Sequence, residues 1–395
     1  MKPLNGIKVL EFARVLAGPM ACQILAELGA EVIKVERPGK GDESRTFAPF
    51  WEDGSSAYFT GFNRGKKSIT LDLKSDEGAS AARDLASQAD VIVENFLPGT
   101  MAKFGLGADD LKVLNPGLVY VSATGFGQTG PDANRPGYDT VFQALSGLTA
   151  LTGPQDGPPC KAGLPMADLT SGLWIVISIL TGLVGRARQG HGTHVDLAMM
   201  DVQLSLLSIP AARHLATGEN PPRMGTSHHG RVPSAAYECA DGEWLQISAS
   251  DQHWAGLCRA LGLQTLATDR ALDYNNSRVA RRLDVEHAIG LAIATMTRAQ
   301  AIAALNAEHV PNGEVLTLPD ALHRPQAQHR GAVVEVPRGD RAPVRGLRTP
   351  ALFDRWDNPD PLPPPELGAD TDDILAQRLG YTVEEVADLR KKGAI

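Results

Sequence analysis

Short apolar strand-like runs alternate with longer amphipathic runs in the first third of the chain. The stretch "IKVLEF" (7–12) predicts a strand, "MACQILAELGA" (20–30) a helix that ends at Gly29, and "EVIKVE" (31–36) a second strand. A helix between two neighbouring strands implies that the strands pair in parallel, because the chain must cross back over the sheet. The pattern therefore predicts a strand–helix–strand unit at the start of the chain.

The same alternation continues beyond residue 67. "SITLDL" (68–73) and "DVIVENF" (90–96) predict strands on either side of a helix over 76–89, and a further buried strand begins at Leu118. Repeated units of this kind are typical of a doubly wound α/β domain with a parallel sheet.

The pattern changes in the second half. Residues 139–188 predict helices around a Gly/Pro-rich loop, and "AAYECADGEWLQISAS" (235–250) predicts a hairpin followed by helices. We predict a large α/β domain over 1–200, a linker over 201–224 and a smaller α+β domain over 225–325. Residues 326–395 return to the large domain with a Pro-rich strap and two short helices.

Composition narrows the functional classes. The chain has 395 residues, a net charge of −8 and four widely spaced cysteines. The acidic balance argues against nucleic acid as the main partner, and the cysteine spacing argues against a zinc site or disulfides. The start of the chain has no signal-peptide pattern, and the longest apolar run (173–184) is too short to span ~30 Å of hydrocarbon. We therefore predict a cytoplasmic protein with no membrane partner.

Familiar cofactor and hydrolase motifs are missing. The turn after the first strand contains Gly18 but no GxGxxG, and the chain has no GxxxxGK[ST], HExxH, GxSxG or EF-hand pattern. His228 and His229 are adjacent but have no third ligand at a familiar spacing, so we predict no metal. Cations do collect early in the chain. They could meet phosphates beyond the ends of the strands, although for most of them individually a solvated charged surface is the alternative: Lys34, Arg37, Arg45, Arg64, Lys66, Lys67 and Lys74.

Asp168 stands alone at the head of an apolar run, "MADLTSGLWIVISIL" (166–180). Asp is one of the preferred residues at a helix N-cap, so the local sequence favours a capping role. A capping role is compatible with a catalytic one, because a carboxylate at a helix N-terminus gains stabilisation of its charge. The local sequence does not decide between a cap and a catalytic group.

The order of several motifs resembles the class III CoA-transferase family, which includes formyl-CoA and carnitine CoA-transferases and α-methylacyl-CoA racemases. The resemblance covers nearly the whole chain. The motifs that carry it are "RVLAGP", "LGAEVIKVERPGKGD", "NRGKKSITLDLK", "ADVIVENFLPG", "GFGQTGP", "YDTVFQA", the loop before Asp168, "RMGTSHHGRVP", "DGEWLQI" and the tail from "GADTDDIL".

This resemblance implies a Rossmann-like large domain, a smaller domain and two chains interlocked as a homodimer. It implies a CoA thioester as substrate, with no permanently bound cofactor. By matching motifs, the CoA-binding set is Val15, Arg37, Leu71, Lys74, Asn95, Phe96 and Lys103. Arg37 and Lys74 would meet phosphates, while Leu71 and Phe96 would flank the adenine. The family's "ENFRPG" is "ENFLPG" here, so Leu97 removes one cation.

Asp168 matches the family's catalytic aspartate. The resemblance implies that its carboxylate takes up the acyl group as an anhydride and then CoA as a thioester, before passing CoA to an acceptor acid. A carboxylate suits this exchange because it is expected to be already ionised at neutral pH and needs no general base. The expected substrates are acyl-CoAs and carboxylic acids. Arg14 and Arg45 are candidates for binding a second carboxylate, as in succinate.

Two alternatives have to be weighed. A racemase of the same family needs an acid/base pair on opposite faces of the substrate, and that branch carries a His in "GHD". Here the motif is "GYD", and the phenol of Tyr138 is a poor proton acceptor at neutral pH. Tyr138 is instead expected to line the acyl pocket. A catalytically silent CoA-binding protein is the second alternative, and the presence of Asp168 disfavours it.

Overall fold

A six-stranded parallel sheet forms the centre of the protein. The computed structural model describes residues 1–359 and 361–395, and the sheet has the order β3-β2-β1-β4-β5-β6. This is the strand order of doubly wound folds, so the predicted α/β class with a parallel sheet is confirmed. The strands are β1 (Lys8–Glu11), β2 (Glu31–Glu36), β3 (Lys67–Thr70), β4 (Val91–Glu94), β5 (Val119–Thr124) and β6 (Thr193–Ala198).

Helices cover both faces of this sheet. They are α1 (Ala17–Glu27), α2 (Ala57–Phe62), α3 (Asp76–Ser87), α4 (Ala108–Leu114), α5 (Asp139–Leu145), α7 (Met166–Gln189), α8 (Met199–Leu206), α17 (Thr371–Leu379) and α18 (Val383–Lys391). The short helix α6 (Leu148–Leu151) falls mostly in the second unit described below. Alternate side chains of the strands enter two separate hydrophobic clusters. Leu10 and Ile92 pack on the face that holds the two C-terminal helices, while Val9 and Val93 pack on the face of α1 and α7.

The chain divides into two compact units. The first comprises 1–148, 162–212 and 325–395, and the second comprises 149–161 and 213–324. Two boundaries differ from the sequence prediction. Residues 149–161 belong to the second unit because their backbone carbonyls accept hydrogen bonds from Arg223 and Gly225. The predicted linker 201–224 is divided, since α8 packs with α7 while residues 213–224 join the second unit.

The second unit is α+β. Its antiparallel sheet consists of β7 (Ser234–Glu238), β8 (Trp244–Ser248) and β9 (Asn312–Glu314). The predicted hairpin is thus present, and β9 adds a third strand that the sequence did not indicate. Its helices are α10 (Asp251–Ala260), α11 (Gln264–Thr268), α12 (Asn275–Ala280), α13 (Arg282–Ile293), α14 (Arg298–Ala307) and α15 (Leu318–His323), while α9 (Ser208–Thr217) crosses the boundary between the units.

The return segment contains an unpredicted hairpin before the Pro-rich strap. After α16 (Pro325–His329), β10 (Val333–Arg338) pairs antiparallel with β11 (Arg341–Leu347). The strap is part of the first unit and is bonded to its N-terminal part, where the Gly65 N–H donates to the Pro363 carbonyl. Short 3-10 helices complete the structure at Glu43–Thr46, Ala102–Phe104 and Arg270–Asp273.

Helix α7 corrects one prediction. Its 24 residues make it long and apolar enough to cross a membrane, whereas the sequence pattern indicated a run too short to do so. A bent pair, α13 with α14, passes the same test only if both helices count as one span. Such helices are weak evidence for a membrane, because core helices have the same composition. One face of α7, including Ile175 and Ile179, packs in the core.

Candidate active site

Two adjoining cavities open at the carboxyl ends of the parallel strands, and both are lined by the first unit alone. The larger measures about 670 Å³ and the smaller about 420 Å³. Four residues line both cavities: Arg14, Glu43, Phe96 and Thr100. A ligand occupying the larger cavity can therefore extend into the smaller one past these shared side chains.

The larger cavity combines apolar surface with exposed cations. Leu71 and Phe96 contribute apolar surface, and Arg37 and Lys74 are exposed at its edge. Lys40 lines the same cavity, which the sequence analysis missed because the residue lies in an irregular "GKGD" turn. Three cations around an apolar slot suit a ligand that has a planar base and several phosphates.

Other cations in the first hundred residues form ion pairs with neighbouring carboxylates. Lys34 is buried and lies 3.2 Å from Glu11 and 2.9 Å from Asp42, while Lys66 lies 2.7 Å from Glu11. Burial by itself would raise the pKa of Asp42, but Lys34 and the bonds from Ser44 outweigh it and lower the pKa to about 2. These charges are structural, because each is buried and paired.

Asp42 holds the backbone at the entrance to the smaller cavity. Both of its carboxylate oxygens accept the Val15 N–H at 3.3 Å. Val15 has a φ of 70°, a left-handed conformation that is strained for a β-branched residue. The buried Asp42–Lys34 pair therefore fixes the turn that leads into α1, with Val15 and Leu16 lining the cavity.

Asp168 lines the smaller cavity together with Val15, Asn95 and Tyr138. The capping interpretation of Asp168 is wrong: the N-cap of α7 is Pro165, and Asp168 lies inside the first turn. Its carboxylate forms no hydrogen bond or ion pair within the described part of the chain, so both oxygens remain free for a ligand. Gly163 and Pro165 belong to the turn that precedes it.

Asp139 supplies the cap that Asp168 does not. Its Oδ1 accepts the N–H groups of Ala167 at 2.7 Å and Asp168 at 3.3 Å. Its Oδ2 accepts from Gln143, a buried side chain that also bonds the backbone of Ala162 and Leu164. Asp139 and Gln143 thus fix the whole loop that carries Asp168.

The same arrangement changes the charge state of Asp168. Burial raises its pKa, and the negative charge of Asp139 raises it further, to about 7. A pKa of about 7 leaves this carboxyl only partly ionised at neutral pH, which corrects the expectation that it is fully ionised. Tyr58, which the sequence analysis also missed, lies close enough that burial and the charges of Asp168, Asp42 and Asp139 raise the pKa of its phenol.

The comparisons with known proteins agree along the full chain. The sequence model of CoA-transferase family III matches residues 4–371. The succinate–glutarate CoA-transferase of Agrobacterium fabrum is 39% identical over 98% of this chain and 97% of its own length. The succinyl-CoA:glutarate CoA-transferase of Homo sapiens is 35% identical, covering the whole chain and 90% of that protein.

This chain belongs to CoA-transferase family III. Among solved structures, a CaiB/BaiF family protein from Brucella suis is 39% identical with a TM-score of 0.84, covering 95% of this chain and 99% of that one. Rv3272 from Mycobacterium tuberculosis is 33% identical, also with a TM-score of 0.84, covering 94% and 98%. The chain is therefore a CoA-transferase, an enzyme that uses CoA thioesters as substrates.

Two of the predicted binding residues, Lys103 and Arg45, line neither cavity. Lys103 is exposed on a 3-10 helix and lines neither cavity, although its neighbour Phe104 lines the larger one. Arg45 does not face Asp168, because its guanidinium forms two bonds to Glu36 and one to the Pro365 carbonyl. Glu36 is buried, and a buried carboxylate holds its cation strongly. Arg45 is thus unsuited to bind a substrate carboxylate.

The described residues also bear on the metal prediction. No group of three His, Cys, Asp or Glu side chains among them is arranged to hold a metal ion. His228 and His229 serve the local backbone: their carbonyls accept from Arg282, and the His228 ring bonds the Gly230 N–H. The cysteines Cys22, Cys160, Cys239 and Cys258 are free thiols.

Proposed function

We propose that this enzyme moves CoA from an acyl-CoA donor to a dicarboxylic acid through covalent intermediates on Asp168. The observation that carries the proposal is the unpaired Asp168 carboxylate, which lies in the cavity next to the larger cavity and its exposed cations. In this arrangement CoA occupies the larger cavity, with Arg37 and Lys74 at its phosphates and Leu71 and Phe96 beside the adenine. Its thioester then reaches Asp168 past Arg14 and Phe96.

The proposed reaction is a set of balanced exchanges. The Asp168 carboxylate attacks the thioester carbonyl, the carbon–sulfur bond breaks, and CoA leaves as a thiolate. The thiolate attacks the aspartyl carbonyl of the resulting anhydride, which releases the donor acid and forms an aspartyl-CoA thioester. The acceptor carboxylate attacks that thioester, and the released thiolate finally takes the acceptor acyl group. Asp168 is regenerated as a carboxylate.

The protein supports these steps by position and by exclusion of water. Asp139 fixes the backbone of Asp168, and the buried Phe142 in the cavity wall limits access of solvent to the anhydride and thioester intermediates. The ionised form of Asp168 is the nucleophile in this scheme, and a pKa of about 7 leaves that form available at neutral pH. The dicarboxylate class is supported by the relatives named for succinate and glutarate.

Exchange measurements test this proposal. The protein is mixed with succinyl-CoA and a panel of acids, and new CoA thioesters are followed by mass spectrometry. We expect Asp168→Asn to lose exchange by at least about 10³-fold. Asp76→Asn is the matched control, since Asp76 is an exposed acid in the first turn of α3 and lines neither cavity. Exchange that persists in Asp168→Asn would refute the mechanism.

The racemase alternative is disfavoured because the described parts of the cavities lack the histidine that the racemase branch carries. Among the described residues that line the two cavities there is no histidine, and the "GYD" motif places Tyr138 there, 73% exposed. A racemase would incorporate deuterium from heavy water at the α-carbon without any acid acceptor. We expect no such incorporation.

A homodimer is the proposed assembly, and α7 supplies the support within this chain. Its outer face exposes Leu173, Trp174 and Ile177 by 43–49%. Adjacent large apolar residues on one helix face favour burial against another chain. Sedimentation should give a mass near twice 42.0 kDa, and a species at the monomer mass would contradict it. The cytoplasmic location stays a prediction.

A further inference from the structure

The smaller cavity contains two arginines that a monocarboxylic substrate would not require. Arg14 and Arg135 are the only Lys, Arg or His residues among the described residues that line it, and Glu43 and Asp168 are its acids. A second carboxylate on the substrate would bring another negative charge into this space. Burying that charge is costly unless a cation pairs with it.

Arg14 is held at the junction of the two cavities. Its backbone is fixed by two bonds with the Asn95 side chain, and its guanidinium lies 4.8 Å from the centre of the Phe96 ring. Because Arg14 lines both cavities, its charge faces the part of the ligand that every CoA thioester shares. It is therefore poorly placed to distinguish one acid from another.

Arg135 lines the smaller cavity only. It lies in a turn in which its N–H donates to the Asp132 carbonyl at 2.8 Å, directly before Pro136 and Gly137. Pro136, Gly137 and Tyr138 also line the cavity, so the wall around Arg135 is continuous with the one that surrounds Asp168.

The guanidinium of Arg135 is only weakly engaged. Its acid neighbour is Asp132 at 3.9 Å, and both side chains are about half exposed. Exposed pairs at such a separation contribute little. The guanidinium also lies 5.5 Å from the centre of the Phe126 ring, and it forms no hydrogen bond within the described part of the chain. A planar guanidinium with free N–H donors can bind a carboxylate through two parallel hydrogen bonds.

We propose that Arg135 binds the distal carboxylate of the acid substrate and thereby sets a preference for dicarboxylates over monocarboxylates. The inference rests on the proposed function, because it requires the proximal carboxylate to exchange at Asp168. In this arrangement one carboxylate reacts at Asp168 while the other pairs with Arg135, so the length of the carbon chain is selected together with the charge.

The test compares acids that differ only at the distal end. Glutarate and pentanoate have the same chain length, and only glutarate has a second carboxylate. In Arg135→Gln we expect kcat/KM for glutarate to fall by about 30-fold, mainly through KM, because a charge-assisted pair is lost. Turnover of pentanoate should stay within about twofold. Arg135→Lys should recover part of the glutarate activity, since it keeps the charge but not the fork.

The control is Arg355→Gln, because Arg355 is 88% exposed in its side chain and lines neither cavity. It should leave the turnover of both acids unchanged. Equal losses for glutarate and pentanoate in Arg135→Gln would overturn the role of Arg135 but leave exchange at Asp168 intact. Failure of the unaltered enzyme to exchange any acid would instead refute the proposed function, so the two failures are distinguishable.

Discussion

Asp139 accepts the backbone N–H of Asp168 while its negative charge opposes ionisation of the Asp168 side chain. One residue thus fixes the position of the proposed nucleophile and raises its pKa. Its second oxygen is held by Gln143, so the carboxylate of Asp139 has little freedom to turn away. The relationship connects loop geometry to reactivity.

The first prediction separates these two effects of Asp139. Asp139→Asn keeps an oxygen that can accept the N–H groups of α7 but removes the charge. Burial raises the pKa of Asp168 more than the charge of Asp139 does. We therefore expect the rising limb of kcat/KM against pH to move down from about pH 7 by less than one pH unit. Asp139→Ala should lower kcat by about 10- to 100-fold, because the loop also loses its cap. An unmoved limb in Asp139→Asn would contradict the electrostatic role.

The second prediction concerns stability against pH. The folded-state pKa of Asp168, about 7, lies above the ordinary value of 3.8. The folded state therefore favours the protonated form, and that stabilisation is complete below pH ~4 and is lost as pH rises through ~7. At pH 8 the free energy of unfolding of Asp168→Asn should consequently be about 1–3 kcal/mol higher than that of the unaltered protein.

Denaturant titrations at two pH values measure this difference. At pH ~4 the unaltered carboxyl is protonated, so Asp168→Asn should have nearly the same free energy of unfolding as the unaltered protein. The exposed control Asp76→Asn should show no gain at pH 8. A gain in Asp168→Asn that is equal at both pH values would point to a cause other than ionisation.

The third prediction concerns the proposed phosphate contacts. Arg37→Ala and Lys74→Ala should each raise KM for succinyl-CoA about 10-fold, because each loses a charge-assisted contact. Lys103→Ala should change KM by less than twofold, since Lys103 lines neither cavity. With succinyl-pantetheine, which lacks the nucleotide, the Arg37 and Lys74 variants should match the unaltered enzyme. A persistent defect with that substrate would place both side chains elsewhere.

The fourth prediction concerns the packing around Phe142. A methyl group on Gly137 would lie 2.6 Å from the ring of Phe142, which is buried in α5 beside Asp139. Gly137→Ala should lower the free energy of unfolding by about 1–3 kcal/mol through overpacking. Gly61→Ala in α2 meets no atom within 4 Å and should stabilise by up to about 1 kcal/mol. Thermal unfolding of both variants checks the contrast.

The sequence predicted the parallel sheet because short strand-like runs alternate with helix-length amphipathic runs, and a helix between neighbouring strands implies parallel pairing. The prediction for β2 matches the observed strand at both ends, while "SITLDL" ends early at Thr70, where the chain turns into the larger cavity. The hairpin β10–β11 was missed because its outer residues are exposed and polar, so the second strand has no clear alternation. Local pattern cannot reveal pairing that depends on a neighbouring strand.

The sequence by itself determined the fold class, the family and the identity of Asp168 as a candidate, because these follow from apolar periodicity and from ordered motifs. Only the tertiary structure showed that Asp168 is inside the first turn and capped by Asp139, 29 residues earlier. Only the tertiary structure showed that Arg45 is held by Glu36 and that Arg135 lines the same cavity as Asp168. The free or paired state of a charge depends on contacts between distant segments, and a linear pattern does not specify those contacts.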